Sequence, residues 1–140
     1  MIILDTNVLS ELMRKSPAQS VVDWVERHRA IDLATTTITE AEILYGVALL
    51  APGQRRTDLG AAAAAMFAED FDGRVFPFDE DAAVAYAAIC ARRRSAGRPI
   101  SALDAEIAAI CVARNARLAT RNIPDFEGCG VELINPWEQS

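Results

Sequence analysis

The opening residues MIILD constrain the fold more than any other stretch of this sequence. Ile2, Ile3 and Leu4 make the chain apolar on both faces, which predicts a short strand buried on both sides, as in a parallel sheet covered by helices. Asp5 follows immediately. Because ligands of such sheets bind at the carboxyl ends of the strands, we expect Asp5 to lie at the edge where ligands gather.

Strand patterns alternate with helix patterns along the rest of the chain. Strands are predicted at residues 2–4, 31–36, 74–78, 116–120 and 131–135. Helices are predicted over residues 7–14, 18–29, 38–50, 54–71, 79–94 and 101–114. The last helix is so apolar that we expect it to be buried all round. This alternation indicates one α/β domain over residues 1–140, with a mostly parallel sheet flanked by helices.

Nothing in the sequence is typical of an exported or membrane-bound protein. The apolar start lacks a preceding basic stretch, and the longest uncharged runs are too short to cross a bilayer. Cys90, Cys111 and Cys129 show neither a disulfide framework nor the spacing of a zinc site. We therefore expect a cytoplasmic protein with reduced cysteines.

The charge of the chain is unevenly distributed. Fourteen Lys and Arg against 20 Asp and Glu give a net charge of −6, which alone argues against binding nucleic acid. The stretch ARRRSAGRP nevertheless groups Arg92, Arg93, Arg94 and Arg98. These arginines have two readings: a solvated helix end with favourable dipole contacts, or a surface that binds phosphates.

Five polar residues share a position near strand ends or helix starts. Asp5 follows the first strand, Glu42 is expected in the first turn of the helix after the second strand, and Asp104 opens the apolar helix. Asn122 and Asp125 follow the fourth strand, where turn chemistry is an alternative explanation for both. All five can share one edge of the sheet.

Helix capping is the alternative explanation for the three acids. Asp5 can cap the first helix. Thr39 and Glu42 form a T-x-x-E capping-box pattern, and Ser101 and Asp104 form a similar S-x-x-D pattern. Glu42 and Asp104 nevertheless lie among apolar residues, which a solvated cap does not require.

A meeting of the three carboxylates would need a counter-charge. At separations of about 5 Å and an effective dielectric constant near 20, each pair repels by roughly 3 kcal/mol. Three such pairs approach the whole stability of an ordinary domain, about 5–15 kcal/mol. Protons or a cation must relieve this repulsion, and oxygen ligands favour Mg²⁺ or Mn²⁺. Such a site is suited to hydrolysing a phosphodiester.

The segments MIILDTNVLSE, TITEAEILYGVA, ISALDAEIAAI, LATRNIPDF and INPW together resemble PIN-domain ribonucleases. More narrowly, they resemble the VapC-type toxins of toxin–antitoxin pairs, especially the FitB-like branch. The resemblance implies a three-layer PIN-like domain with a five-stranded parallel sheet. It also implies that Asp5, Glu42 and Asp104 serve RNA cleavage with Mg²⁺ or Mn²⁺, and that Thr6 and Asn7 steady Asp5.

Partners are implied by the same resemblance. We expect a homodimer and a small antitoxin whose C-terminal segment enters the acidic groove, in a larger toxin–antitoxin assembly. Arg92, Arg93 and Arg94 are then candidates for contact with RNA or with the antitoxin. The chain departs from the family pattern at Asn122, where many relatives have a fourth acid. Asp125 is the candidate replacement, so the resemblance leaves open whether one or two metal ions bind.

The sequence hypothesis is a metal-dependent endoribonuclease toxin. Asp5 and Asp104 would bind the metal directly, and Glu42 would position or deprotonate the attacking water. The family resemblance implies products with a 5′-phosphate and a 3′-hydroxyl. One alternative is a phosphatase with Asp5 as nucleophile, although that chemistry favours a carboxylate where this chain has Asn7. Another is a non-catalytic module whose acidic pocket only binds a partner.

Overall fold

The fold, described for residues 1–139 in a computed structural model, is built on a five-stranded parallel sheet. The strands are β1 (Ile2–Leu4), β2 (Leu33–Thr36), β3 (Val75–Phe76), β4 (Arg117–Ala119) and β5 (Leu133–Ile134). The α-helices are α1 (Thr6–Leu12), α2 (Gln19–Glu26), α3 (Thr37–Ala48), α4 (Gln54–Ala65), α5 (Glu80–Ser95), α6 (Ala102–Ala113) and α7 (Ile123–Phe126). The predicted three-layer α/β architecture is confirmed.

The strand order β3-β2-β1-β4-β5 places β1 at the centre of the sheet. Leu4 of β1 is in register with Ala119 of β4, and the Asp5 N–H donates to the Ala119 carbonyl at 3.1 Å. After β1 the chain adds β2 and β3 on one side of this strand, and then β4 and β5 on the other side. A crevice for ligands forms where the strand order reverses in this way, at the carboxyl ends of the strands. Asp5 therefore lies at the expected edge.

Burial on both sides explains the apolar triplet of β1. Ile3 packs into the core on one face of the sheet, together with Ile107 and Ile110 of α6. Ile2 and Leu4 pack into the core on the other face, against α1, α2 and α4. All three side chains of β1 are at most 1% exposed. Fully burying a side chain of this size stabilises the fold by about 1.5–3 kcal/mol, which fixes the position of Asp5.

Several boundaries differ from the sequence prediction. Residues Ala30–Asp32 form a 3₁₀ turn before β2, and the helix predicted over 54–71 changes at Met66–Asp70 to a π-helical turn. The short helix α7 was not predicted. The expectation that α6 is buried all round was wrong, because Leu103 is 47% exposed at its start and Val112 is 39% exposed near its end. Every helix within residues 1–139 is too short or too polar to span a membrane.

Candidate active site

Asp5 is a buried carboxylate that also caps a helix. Asp5 is only 4% exposed. It is the N-cap of α1, and its Oδ1 accepts a hydrogen bond from the Val8 N–H at 3.1 Å. Burial raises the pKa of Asp5 from 3.8 to about 6, and the negative charge of Asp104 acts in the same direction. Hydrogen bonds from the Thr120 side chain and from the Val8 and Asn7 backbone lower the pKa but do not offset burial.

Thr6 connects the start of α1 to Glu42 on α3. The Thr6 hydroxyl donates to Glu42 Oε1 at 2.7 Å, and the Thr39 hydroxyl oxygen lies 3.2 Å from that of Thr6. Thr39 is fully buried and Glu42 is half-buried. Since Asp5 and Thr6 are consecutive, this bond holds the Glu42 carboxylate next to the end of β1.

The predicted position of Glu42 within its helix was wrong. Thr36, not Thr39, is the N-cap of α3, and its hydroxyl accepts from the Thr39 N–H at 3.1 Å. Glu42 is therefore the sixth residue of α3, in its second turn, and takes no part in a capping box. Its carboxylate is free of the helix end, so capping no longer explains its presence.

Asp104 is the third residue of α6, and the predicted S-x-x-D cap is confirmed. The Asp104 N–H donates to Ser101 Oγ at 3.3 Å, with Ser101 as the N-cap. Burial raises the pKa of the Asp104 carboxyl and the negative charge of Asp125 raises it further, whereas Ser101 and the positive charge of Arg93 lower it. The negative charge of Asp125 thus acts on Asp104, and the negative charge of Asp104 acts in turn on Asp5.

Asn122 and Asp125 occupy different positions after β4. Both are exposed, and the Asn122 N–H donates to Thr120 Oγ1 at 3.0 Å. Asp125 lies in α7, and its negative charge acts on Asp104. Of the two, Asp125 is therefore the residue whose carboxylate acts on the site, and Asn122 contributes a backbone contact.

The structure changes the interpretation of the arginine run. Arg92 and Arg94 are exposed, but Arg93 is only 6% exposed, and its guanidinium donates to main-chain carbonyls at 2.6–2.9 Å. Burial and these internal bonds of Nε and Nη1 leave Arg93 poorly placed for the predicted contact with RNA or the antitoxin, which stays a prediction. Arg92 and Arg94 retain the exposure that this prediction requires.

Asp5 and Asp104 form a pair of carboxylates, and Glu42 lies beside this pair rather than in a tight cluster with it. Within residues 1–139, no three His, Cys, Asp or Glu side chains are gathered closely enough to hold one metal ion together. Asp5 and Asp104 interact electrostatically, and Glu42 joins them through its hydrogen bond to Thr6. The close three-carboxylate arrangement considered from the sequence is not formed.

The chemistry of this pair fits a divalent cation. Neither Asp5 nor Asp104 takes part in an ion pair in the described part of the chain, although burial penalises the charge of both. Their oxygen atoms are hard ligands, which suit Mg²⁺ or Mn²⁺, and Mg²⁺ is usually held by one or two carboxylates and several waters. A cation would favour the charged form of Asp5 and so oppose the effect of burial on its pKa.

Sequence reasoning missed Thr120. This residue is fully buried directly after β4, where its side chain hydrogen-bonds the Asp5 carboxylate while its oxygen accepts from the Asn122 N–H. The available signal was its position, because Thr120 directly follows the buried apolar residues Leu118 and Ala119 of a strand that pairs with β1. The same logic that singled out Asp5 applies to it.

Comparison with known proteins identifies similar chains over the full length. The PIN domain family model matches residues 2–125. The chain is 39% identical to VapC ribonuclease Y4jK of Sinorhizobium fredii over 138 residues, 99% of each chain. It is 38% identical to Toxin FitB of Neisseria gonorrhoeae over 137 residues, 98% of this chain and 99% of that one. The crystal structure of FitAcB from Neisseria gonorrhoeae superimposes with a TM-score of 0.94 and 37% identity, covering 99% of this chain and 100% of that chain.

Proposed function

The chain belongs to the PIN domain family, and from that premise we propose that it is a metal-dependent endoribonuclease acting as the toxin of a toxin–antitoxin pair. One observation carries the nuclease proposal. Asp5 is a buried carboxylate at the point where the strand order reverses, next to Asp104, and it has no cationic partner within residues 1–139. Such a pair is suited to holding a divalent cation against a phosphodiester.

Asp5 and Asp104 are the residues that would hold Mg²⁺ or Mn²⁺. Bound there, the cation supplies positive charge against the phosphate and makes a water molecule more acidic. The Thr120 side chain and the Val8 N–H orient the Asp5 carboxylate. Because these bonds are made inside the core, the carboxylate is positioned before the substrate arrives, and its orientation costs little when the substrate binds.

Glu42 is the residue placed to handle the proton of the attacking water. Thr6 donates to Oε1, which fixes the carboxylate and leaves Oε2 for a proton or a water molecule. In-line attack of that water on phosphorus would leave a 5′-phosphate and a 3′-hydroxyl. Glu42 is half-buried, so the residue is partly open to the solvent from which substrate and water come.

The antitoxin proposal is supported by an exposed apolar surface on the helix that carries Glu42. Leu44 and Tyr45 of α3 and Leu49 at its C-cap are 43%, 66% and 68% exposed. Grouped exposed apolar side chains mark protein-binding surfaces. We propose that the antitoxin covers this part of α3, beside the carboxylates, in a complex of toxin homodimers with antitoxin.

Cleavage of total cellular RNA tests the nuclease proposal. The wild type is incubated with and without Mg²⁺, beside Asp5→Asn and the control Asp81→Asn, an exposed acid in the first turn of α5. Asparagine caps helices as well as aspartate does, so Asp5→Asn removes the charge while keeping the cap. We expect the wild type and the control to cut only with Mg²⁺, and Asp5→Asn not to cut.

The outcomes of this assay separate the alternatives. Equal cleavage by Asp5→Asn would exclude Asp5 from the mechanism. A phosphoenzyme formed on Asp5 from a phosphate monoester would instead identify a phosphatase. Full binding of an antitoxin partner, without cleavage of any RNA, would identify a non-catalytic partner-binding module.

A further inference from the structure

Arginines at and just after the end of α5 donate hydrogen bonds to main-chain carbonyls of residues 124–128. We call these residues the 124–128 segment. Four of its carbonyl oxygens accept hydrogen bonds from three arginine side chains. The bonds are Arg98 Nη2 to Pro124 at 3.1 Å, Arg93 Nη1 to Asp125 at 2.8 Å and to Glu127 at 2.9 Å, and Arg92 Nε to Gly128 at 2.9 Å. The segment that contains Asp125 is therefore held by α5.

Arg93 also fixes the turn that leads to Asp104. Its Nε donates to the Arg98 carbonyl at 2.6 Å, and its own carbonyl accepts from the Arg98 N–H at 2.9 Å. The second bond, together with Gly97 at φ +73° and a bond from the Gly97 N–H to the Arg94 carbonyl, completes a Schellman motif at the end of α5. Three residues after Arg98 comes Ser101, the N-cap of α6, so Arg93 bonds the turn that leads into that helix.

The burial of Arg93 is unusual for a residue that only ends a helix. Arginine is rarely buried without an anionic partner, and Arg93 takes part in no ion pair within residues 1–139. Its guanidinium charge is stabilised by carbonyl dipoles, and its positive charge acts on Asp104. A solvated arginine would cap the helix equally well, so the buried position points to a further role.

We propose that Arg93 is a positioning residue of the carboxylate site, holding the start of α6 and the 124–128 segment together so that Asp104 lies beside Asp5 and Asp125 lies beside Asp104. This inference rests on the proposed function, because it assigns Arg93 to the binding of a divalent cation. Arg93 acts through the main chain and touches neither the cation nor the RNA.

Charge and position make opposite predictions for the loss of Arg93. Removing a positive charge near Asp104 should by itself strengthen the binding of a cation. Loosening the two segments should weaken it, because groups that orient metal ligands are typically worth about 10–100-fold in affinity. A weaker affinity after removal of Arg93 therefore identifies positioning.

The test measures Mn²⁺ binding by titration calorimetry for the wild type, Arg93→Met, Arg93→Lys and the control Arg94→Met. Arg94 is the exposed neighbour on the same turn, so its substitution removes one charge from the same helix end. We expect Arg93→Met to weaken Mn²⁺ binding by roughly tenfold or more and Arg94→Met to change it less than about twofold. Arg93→Lys should be weakened by at least about threefold, because one ammonium cannot reproduce the planar fork of the guanidinium.

Circular dichroism first establishes that each variant is folded at the temperature of the titration. Wild-type Mn²⁺ affinity in folded Arg93→Met would overturn the inference, and so would tighter binding. If Arg93→Met does not fold, Arg93→Lys decides alone, and wild-type affinity in that variant would overturn the inference. Absence of Mn²⁺ binding by the wild type itself would overturn the proposed function, and the role of Arg93 with it.

Discussion

The two sides of the carboxylate site are held in place by different forces. On the β1 side, Asp5 and Thr120 follow adjacent buried strands, and the hydrophobic core on both faces of the sheet fixes them. On the α6 side, Asp104 is half-buried and faces the 124–128 segment, which long arginine side chains hold by its carbonyls. One side is positioned by packing and the other by hydrogen bonds that span more than 30 residues of sequence.

This difference separates stability from function. Changes on the β1 side affect side chains that are nearly or fully buried, so they alter the free energy of unfolding as well as the chemistry. On the α6 side, Asp104, Asp125 and Glu127 lie nearer to solvent, where the fold tolerates substitution better, and Arg93 is the buried exception. The following experiments test whether this division holds.

Replacing Asp5 with alanine has the largest expected effect. Groups that only orient a metal ligand are typically worth about 10–100-fold in activity, so losing the ligand itself should lower RNA cleavage by more than about 100-fold. Alanine also removes the N-cap of α1, which costs about 0.5–2 kcal/mol, whereas asparagine keeps it. Cleavage rates and urea unfolding of the two variants measure both effects.

Two results from Asp5→Ala and Asp5→Asn would contradict these expectations. Equal stability of Asp5→Ala and Asp5→Asn would show that the cap bond to the Val8 N–H contributes nothing. Residual cleavage above about 1% of the wild type in both would show that Asp5 is not a ligand.

The contribution of Asp5 to the stability of the metal-free protein should fall as the pH rises. The folded-state pKa of Asp5 is raised from 3.8 to about 6, so the folded state binds this proton more tightly than the unfolded state does. The resulting stabilisation is fully present below about pH 3.8 and is lost as the pH rises through 6. At 1.36 kcal/mol per unit, the loss amounts to about 3 kcal/mol.

Urea unfolding in EDTA between pH 4 and pH 7 measures this loss. Other groups titrate in the same range, so the difference between the wild type and Asp5→Asn isolates the contribution of Asp5. A difference that stays constant with pH would show that Asp5 is not penalised by burial. Added Mn²⁺ should recover the lost stability in the wild type alone.

Thr120→Val should lower activity by about 10–100-fold, because it removes the hydroxyl that orients Asp5. The matched control is Thr35→Val on β2. Thr35 is equally buried, but its hydroxyl donates to a main-chain oxygen, the Leu4 carbonyl at 2.9 Å, rather than to a carboxylate. Both substitutions should lower stability by about 1–3 kcal/mol, since each removes one buried partner. Only Thr120→Val should lower cleavage per folded molecule, and equal losses would show that the effect is structural.

The sequence was informative where local patterns determine the structure. The apolar triplet places Asp5, and the S-x-x-D pattern places Asp104, because strand burial and N-capping depend on neighbouring residues. The cap of α3 was misplaced because the run TTTIT offers several threonines, and only packing selects Thr36. The role of Arg93 could not be predicted, because its partners are main-chain carbonyls 32 and 34 residues away. Every residue has such a carbonyl, so the side chains at those positions do not reveal the contact.

The smallest expected effect is that of Glu127→Gln, which tests how the 124–128 segment is held. Arg98 Nη1 lies 3.5 Å from the Glu127 carboxylate, but both side chains are about half exposed, and such surface pairs are worth about 0–1 kcal/mol. Arg93 instead binds the Glu127 carbonyl, which glutamine retains. We therefore expect Glu127→Gln to lower the free energy of unfolding by less than about 1 kcal/mol and to leave Mn²⁺ affinity unchanged. If Glu127→Gln weakened Mn²⁺ binding as much as Arg93→Met, the 124–128 segment would be held by the charge of the Glu127 side chain. The α6 side of the site would then not be held by hydrogen bonds to main-chain carbonyls.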